Sequence, residues 1–277
     1  MGQHSAIEWT EHTFNPWWGC IKVSPGCTHC YAESWAKRYG HDIWGNHKPR
    51  RFFGDNHWEQ PIKWNKQATS KNKRSRVFCA SMADVFENNP SLESERHKLW
   101  NLIENTPMLD WLLLTKRPEN MTKLAPWGKQ WPDNVWALAT VENQEYANQR
   151  IPHLLDVPAV VRGLSIEPML GPIDLSCWIS DIHWVIAGGE SGAGSRPMNP
   201  DWARVLRDQC LSAGTAFFFK QWGNWIPSTS ENQGTITKLS SYLDKEATLY
   251  MKRVGKKVAG QILDGFTWNQ IPLPEQF

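Results

Sequence analysis

The stretch Trp111-Leu-Leu-Leu-Thr-Lys-Arg117 (WLLLTKR) is an apolar run of strand length that ends directly in a hydroxyl group and two cations. A short run that is apolar on both faces predicts a strand buried inside a sheet. Further segments share this pattern, since each is rich in aliphatic or aromatic residues and ends at a polar or glycine-containing turn. They are Val77–Ser81, Trp136–Thr140, Val160–Ile166, His183–Gly188 and Ala216–Gln221.

The spacing of these strands predicts a parallel sheet. Their starts lie 34, 25, 24, 23 and 33 residues apart, which leaves room for one helix in each interval. Predicted helices are Ser91–Asn105, opening with a serine that can cap, Val141–Leu155 until Pro152 interrupts it, and Pro200–Ala213, stopped by Gly214. With a first strand before the first cysteine, seven units result. An α/β fold with a partial or full (β/α) barrel fits better than a doubly wound sheet.

Two regions depart from this alternation of strands and helices. An aromatic and basic insertion is expected at about residues 40–76, and it ends in the charged run Lys71–Arg76. This run is either solvated or in contact with nucleic-acid phosphates. The barrel is therefore expected over residues 1–227, with residues 228–277 as an irregular C-terminal appendage or lid.

The composition is that of an ordinary globular protein. Hydrophobic residues make up 40% of the 277 residues, and the net charge of +2 creates no strong field that demands a nucleic-acid partner. The N-terminal residues lack the basic start and apolar run of a signal peptide, and no apolar run is long enough for a membrane span. The sequence predicts a cytoplasmic protein with reduced thiols, in which disulfides are a poor explanation for clustered cysteines.

Cys20, Cys27 and Cys30 form a C-x6-C-x2-C cluster near the start of the chain. Four interpretations compete: cysteines packed in a core, a structural zinc with His29 or His41 as fourth ligand, a redox pair, or a [4Fe–4S] cluster. Three thiolates would leave one iron of such a cluster open to a small molecule.

The run NPWWGC-x6-CxxCYAE at residues 15–33 resembles the cluster loop of radical S-adenosylmethionine (SAM) enzymes, especially the branch that contains spore photoproduct lyase. It departs from that branch by three additional residues between the first two cysteines. It also has His29 where the superfamily usually places an aromatic residue against adenine.

Over nearly its full length the chain resembles a family of phage and bacterial proteins of formerly unknown function, the phage Gp37/Gp68 type. The segments that carry this resemblance lie along the whole predicted barrel. They are LLLTKRPENM (112–121), TVENQEYANQRI (140–151), LSIEPMLGPI (164–173), VIAGGESGAGSRPM (185–198) and FFFKQWG (217–223).

The resemblance implies a radical SAM enzyme that binds a [4Fe–4S] cluster through Cys20, Cys27 and Cys30 and holds SAM on the open iron. In such enzymes one electron releases a 5′-deoxyadenosyl radical, which abstracts a hydrogen atom from the substrate. The electron donor would be a flavodoxin or a ferredoxin. The expected reaction converts an N-linked glycyl substituent on thymine to a C-linked one in phage DNA hypermodification.

Candidate site residues follow the strands, because barrel enzymes place their chemistry at the carboxyl ends of strands. Lys116, Arg117 and Lys220 could hold the cofactor carboxylate or an anionic substrate, or could be solvated or ion-paired residues of the barrel rim. Glutamates could bind ribose hydroxyls or the ammonium group, and glycines beside Glu190 would permit close approach of a ligand. Expected catalytic residues are Glu190, Lys116 and Lys220. Expected cofactor-binding residues are His29, Thr115, Lys116, Glu142, Glu167, Gly188, Gly189 and Glu190.

Two alternatives remain open at the level of the sequence. One is another radical SAM reaction on nucleic acid, such as base modification or lesion repair. The other is a non-catalytic, zinc-bound module that binds nucleic acid. A closed four-ligand zinc site predicts colourless protein, whereas an iron–sulfur cluster predicts brown, oxygen-sensitive protein.

Overall fold

The structure is a computed structural model that describes residue 5 and residues 7–229 and 234–273. A seven-stranded parallel sheet dominates it, with the strands in the order β1 to β7. The strands are β1 His12–Thr13, β2 Ser75–Cys79, β3 Leu109–Thr115, β4 Val135–Thr140, β5 Val161–Ile166, β6 Trp184–Gly188 and β7 Ala216–Gln221.

The sequential order of the strands confirms the predicted α/β fold with a partial (β/α) barrel. Each crossover moves one strand further in the same direction, whereas a doubly wound sheet reverses direction at its centre. The indole of Trp9 lies 4.7 Å from the ring of Phe78 on β2 and 5.9 Å from that of Trp184 on β6. Four strand spacings in a flat sheet would separate these strands by about 19 Å, so the sheet curls around Trp9.

The barrel is open between its two edge strands, β1 and β7. The C-terminal segment covers the β7 edge, because the backbone N–H of Phe219 donates to the carbonyl of Trp268 at 2.8 Å and that of Gln270 donates to Phe217 at 3.1 Å. Exposed strand edges invite pairing with other chains, so this cover protects the sheet.

Helices lie between the strands as the spacing predicts, except between β5 and β6, where the structure has only the 3₁₀ turn Ile179–Asp181. They are α1 Tyr31–Arg38, α2 Asp55–Ser70, α3 Glu93–Glu104, α4 Met121–Leu124, α5 Gln144–Leu155 and α6 Pro200–Ala213. The bounds of α6 match the prediction, and Gly214 ends it in the left-handed conformation with φ +74°.

Two predictions about helix boundaries were wrong. Helix α5 continues through Pro152 because the flanking Ile151 and Leu154 are fully buried, so packing outweighs the lost backbone hydrogen bond. Ahead of α3, the side-chain cap belongs to Asn89, which accepts from the backbone N–H of Ser91 at 3.0 Å and begins a 3₁₀ turn, whereas α3 itself starts after Leu92 without a side-chain cap. Ser91 lies within the preceding 3₁₀ turn, Pro90–Leu92, rather than capping the helix itself.

Alternation along the strands divides the core between the two faces of the sheet. The concave face carries an apolar cluster that includes Trp9, Trp136, Leu138, Trp184 and Phe218. The opposite face packs against the helices in a larger cluster. Because side chains alternate with a period of two, the inward series on β4 continues from Leu138 to Thr140 at the carboxyl end. Apolar side chains therefore fill the inside of the barrel, and polar side chains lie at the carboxyl ends of its strands.

The segment expected as an insertion, residues 40–76, contains α2, which connects β1 to β2. The C-terminal segment forms a three-stranded antiparallel sheet of β8 Trp225–Ser228, β10 Thr248–Arg253 and β9 Ile236–Ser240. A short helix, α7 Lys256–Ala259, and the hairpin of β11 Ile262–Leu263 and β12 Phe266–Thr267 follow. Residues 230–233 and 274–277 of the expected appendage lie outside the described residues. No helix in the described ranges is long and apolar enough to cross a membrane.

Candidate active site

A cavity of about 500 Å³ opens at the carboxyl ends of the strands. This volume is within the range of pockets that enclose a small-molecule ligand. Most of the residues predicted for the site line this cavity. They are Cys20, Cys27, His29, Cys30, Thr115, Lys116, Glu167, Gly189, Glu190 and Lys220.

The three cysteines lie on one loop that forms a wall of the cavity, and all three are half-buried free thiols. Cys27 ends the 3₁₀ turn Pro25–Cys27, and Cys30 directly precedes α1. Burial raises the pKa of the Cys30 thiol, and hydrogen bonds from the backbone at the start of α1 oppose this rise only in part.

The donor set fits a polynuclear cluster better than a single ion. Within the described residues, no three His, Cys, Asp or Glu side chains converge as one metal ion requires. In an iron–sulfur cluster each thiolate binds a different iron, so the three thiols need only face one shared space. Cys20, Cys27 and Cys30 meet that condition.

Arg117 clamps the loop at its first cysteine. Its Nη1 lies 3.7 Å from the Cys20 Sγ, and its Nη2 donates to the Ile21 carbonyl at 2.7 Å. Asp84, in the loop after β2, fixes this arginine with an ion pair of 2.8 Å. Burial raises the pKa of the Cys20 thiol to about 12, and the Asp84 carboxylate adds to the rise. A bound metal would reverse this effect, because it holds the thiol in its deprotonated form.

Thr115 belongs to the same network. Its hydroxyl donates to Asp84 Oδ1 at 2.6 Å and is buried. The hydroxyl proton is therefore engaged with Asp84, although Thr115 was predicted to bind the cofactor. Lys116, the next residue, donates only its backbone N–H to Asp84, at 3.2 Å, and its side chain faces the cavity.

Glu142 lies behind the cysteine loop and does not line the cavity. Its Oε1 accepts a hydrogen bond from Ser24 Oγ at 2.5 Å, and its Oε2 pairs with Arg150 at 2.9 Å. The carboxylate is completely buried. A Cβ on Gly26 would lie 2.3 Å from Glu142 Oε1, so only glycine fits at this position of the loop. The geometry gives Glu142 a positioning role.

Glu190 reaches the same loop through Arg196. The guanidinium donates to both oxygens of Glu190, at 2.5 and 2.8 Å, and also to the carbonyl of Pro25 at 3.0 Å. Burial raises the pKa of the Glu190 carboxyl, but the hydrogen bonds and charge of Arg196 outweigh this effect and hold it below its usual value. Glu190 is therefore an anion that lines the cavity.

Glu167 and Lys220 meet at the ends of β5 and β7. Lys220 Nζ lies 2.8 Å from Glu167 Oε2, and Gln221 Nε2 donates to Glu167 Oε1 at 2.8 Å. Both members of the ion pair retain slightly less than a fifth of their side-chain exposure, so they remain accessible to a ligand.

Of the two glycines before Glu190, only Gly189 is required by close packing. A Cβ on Gly189 would lie 2.1 Å from the carbonyl oxygen of Trp222, so the close approach here is between two backbone segments of the protein. Gly188 does not line the cavity, and a Cβ there would make only ordinary contacts, with Gln221 and Glu167. His29 lines the cavity and lies against Gly194, where a Cβ would approach the imidazole to 2.5 Å.

Sequence reasoning missed three residues that hold the loop in place, namely Ser24 on the loop itself and Arg150 and Arg196 outside it. It also missed Lys256 of α7, which lines the cavity from the C-terminal segment. The segments around Arg150 and Arg196 were quoted for the resemblance. Arg150 acts on the loop only through Glu142, and a lone arginine such as Arg196 carries no signal about a partner 171 residues away.

The charges of the cavity are unevenly compensated. Each lining carboxylate has a basic partner, in the pairs Asp84–Arg117, Glu167–Lys220 and Glu190–Arg196. Two lining lysines, Lys116 and Lys256, form no ion pair with any residue that the structure describes. The cavity therefore has an excess of positive charge that suits an anionic ligand.

The chain matches the family described as protein of unknown function (DUF5131) over residues 4–272, and it belongs to that family. The family description states no activity, so the phage Gp37/Gp68 designation stays a prediction. Among curated proteins none matches the chain.

Solved structures of spore photoproduct lyase are distantly similar. A variant with bound AdoMet and dinucleoside spore photoproduct shares 11% identity at a TM-score of 0.43, covering 88% of this chain and 68% of the lyase. A second variant shares 12% identity at a TM-score of 0.46, covering 88% and 69%.

Proposed function

We propose that the protein is a radical SAM enzyme whose cluster is a [4Fe–4S] group held by Cys20, Cys27 and Cys30. The observation that carries the proposal is the placement of all three thiols on one cavity at the carboxyl end of a parallel barrel. The resemblance of residues 15–33 to the cluster loop of such enzymes agrees with it.

The three thiolates would hold the cluster, and SAM would occupy the cavity beside it. One-electron reduction of such a cluster with SAM bound would supply a 5′-deoxyadenosyl radical, which abstracts a hydrogen atom from the substrate. The protein keeps the loop in place through Arg117, Glu142 and Arg196. The apolar concave face below the cavity excludes water from the reacting groups.

The polar side chains of the cavity have distinct roles in this proposal. Glu190 and Glu167 offer carboxylate oxygens to the ribose hydroxyls and the ammonium group of SAM, and Lys220 offers a cation to its carboxylate. His29 packs near the adenine. Lys116 and Lys256 are the unpaired cations and bind an anionic group of the substrate.

For the substrate we propose a thymine base that carries an amino-acid substituent, in DNA or as a nucleotide. The reaction converts the N-linked glycyl group to a C-linked one. Phosphate and carboxylate groups of such a substrate match the excess positive charge at Lys116 and Lys256. Because Lys256 belongs to the C-terminal segment, residues 228–277 would act as a lid on the cavity.

The decisive experiment is anaerobic purification with iron and sulfide analysis, followed by reduction with dithionite in the presence of SAM. About four irons per chain and release of 5′-deoxyadenosine are expected. Cys27→Ala should lose the iron, whereas Cys177→Ala, which removes an exposed thiol outside the loop, should keep it. One zinc per chain with no sulfide would refute the proposal in favour of a zinc-bound module.

The substrate is tested separately. A thymidine oligonucleotide with an N-linked glycyl group and its unsubstituted counterpart are incubated with the reduced enzyme and analysed by mass spectrometry and chromatography. A product of unchanged mass and new retention time is expected for the substituted base alone. If the enzyme instead converts a different modified or damaged base, the proposed radical SAM class stands and the proposed substrate is wrong.

A further inference from the structure

Helix α1 directs its large aromatic side chains outward. It buries Ala32 and Ala36 against the protein, while Tyr31, Trp35 and Tyr39, which follows the last turn, are exposed by 57%, 39% and 60%. These three aromatic residues, spaced four apart, lie on one face of the helix, and we name them the aromatic stripe. Amphipathic helices normally turn their large apolar residues toward the core, so an outward stripe indicates a binding surface.

The aromatic stripe is held in a fixed arrangement. The rings of Trp35 and Tyr39 lie 4.4 Å apart, and Trp35 contacts the buried Trp18 edge-on at 5.1 Å. The guanidinium of Arg51 covers the Trp18 ring at 4.4 Å. Rings that are already ordered lose little conformational freedom when a ligand stacks on them.

Two cations without a carboxylate partner accompany the stripe. Of the five Lys or Arg side chains in residues 31–53, three form ion pairs, whereas Arg38 and Arg51 form none within the described ranges. Arg38 is exposed on α1, and Arg51 covers the Trp18 ring. Flat exposed rings beside cations are the combination that binds single-stranded nucleic acid, in which bases stack on the rings and phosphates meet the cations.

The stripe also leads into the cavity, because Tyr31 belongs to both. Eight residues of helix separate Tyr31 from Tyr39 and span about 12 Å. This length accommodates about three or four stacked nucleotides at about 3.4 Å each. A strand on the stripe could therefore place its next base in the cavity, next to Lys116. An electron-donor protein does not need a surface that continues into the cavity, so this continuity favours nucleic acid as the ligand of the stripe.

We infer that the aromatic stripe is a binding track for single-stranded nucleic acid, or for a strand locally opened from a duplex, and that it guides one base into the cavity. The inference deepens the proposed function, since it names the path of a polymeric substrate. Binding to the track does not require cofactor cleavage, so the two ideas can fail independently.

The test measures fluorescence anisotropy of a labelled single-stranded oligothymidylate of about 12 nucleotides with the anaerobically purified holoenzyme. Trp35→Ala and Tyr39→Ala should each weaken binding about tenfold, because each removes one stacking partner. Trp35→Phe and Tyr39→Phe should retain most of the affinity. Tyr242→Ala, which removes an exposed tyrosine of the C-terminal segment, is the matched control and should bind like wild type.

The inference is overturned if the alanine variants, shown by circular dichroism to be folded, bind the oligonucleotide like wild type, or if wild type does not bind it. It is also overturned if these variants bind normally but accept electrons more slowly from reduced flavodoxin, which would make the stripe a donor-docking site. Release of 5′-deoxyadenosine by wild type without DNA reports on the proposed function alone.

Discussion

Ser24 donates a hydrogen bond to Glu142 across 118 residues of sequence, at 2.5 Å between Oγ and Oε1. This contact joins the cysteine loop to the end of β4. Arg117 after β3 and Arg196 after β6 hold the same loop at Ile21 and Pro25. The loop is therefore fixed from three parts of the barrel rim, and the positions of its thiols depend on the curl of the sheet.

Glu142→Gln should destabilise the protein and reduce its metal content. The substitution leaves the guanidinium of Arg150 buried without a carboxylate, and loss of one partner from a buried ion pair costs about 3–5 kcal/mol. Urea denaturation should show this loss in the free energy of unfolding, and iron analysis should show fewer irons per chain. Glu145→Gln, at an exposed position on α5, is the control. Unchanged iron content in Glu142→Gln would contradict the positioning role.

Gly26→Ala should disturb the cysteine loop. The added Cβ would lie 2.3 Å from Glu142 Oε1 and 2.6 Å from its Cγ, and that side chain is fixed by Arg150. Overpacking of this kind costs about 1–3 kcal/mol and displaces the loop. We expect lower iron retention after reconstitution. Gly54→Ala, where a Cβ would meet nothing within 4 Å, should retain normal iron content. Equal retention in both variants would show that the loop tolerates the methyl group.

Lys220→Met should weaken SAM binding about tenfold. The change removes the cation beside Glu167 and leaves a carboxylate that repels the carboxylate of a ligand, and a charged hydrogen bond is worth about 1.5–3 kcal/mol. Equilibrium dialysis measures the affinity, with Lys252→Met on β10 as the control. Lys220→Arg should recover part of the loss. If Lys220→Met binds SAM with wild-type affinity, Lys220 does not bind SAM and only pairs with Glu167.

Stability should fall in acid in part through Asp264. Hydrogen bonds from Arg204, and then from Arg207, hold the pKa of the Asp264 carboxyl below its usual value. A lowered folded-state pKa stabilises the protein above the unfolded value of about 3.9, and this contribution is lost as the pH falls through the folded pKa. Thermal unfolding between pH 6 and about pH 3 should therefore show a shallower decline for Asp264→Asn than for wild type.

Asp133→Asn is the control for the acid experiment, because Asp133 is exposed and forms no ion pair in the described part of the chain. It should decline in parallel with wild type. If the stability of Asp264→Asn also declines in parallel with that of wild type, the ion pairs of Asp264 with Arg204 and Arg207 are not a source of the pH dependence. Added salt should reduce the difference, since these groups are about a third exposed.

Local sequence predicted the elements of the fold well. All six predicted strands are present with ends within two residues of the prediction, and Ala216–Gln221 matches fully. Strand length, apolar character and the stop at Gly214 are properties of short segments, so the sequence carries them directly. Pro152 misled the prediction because the burial of Ile151 and Leu154 outweighs the local preference of proline.

The sequence by itself determined where the strands lie along the chain, the spacing of the cysteines and the ends of the strands at which polar residues gather. The order of the strands in the sheet came from the structure. Only the tertiary structure decided which of those residues face the cavity. It showed that Glu142 binds the cysteine loop through Ser24, and that Gly189 packs against the backbone of Trp222. The physical reason is that these hydrogen bonds and ion pairs form between groups that the curl of the sheet brings together. Their partners lie up to 171 residues apart, as in Pro25 and Arg196, where no local pattern links them.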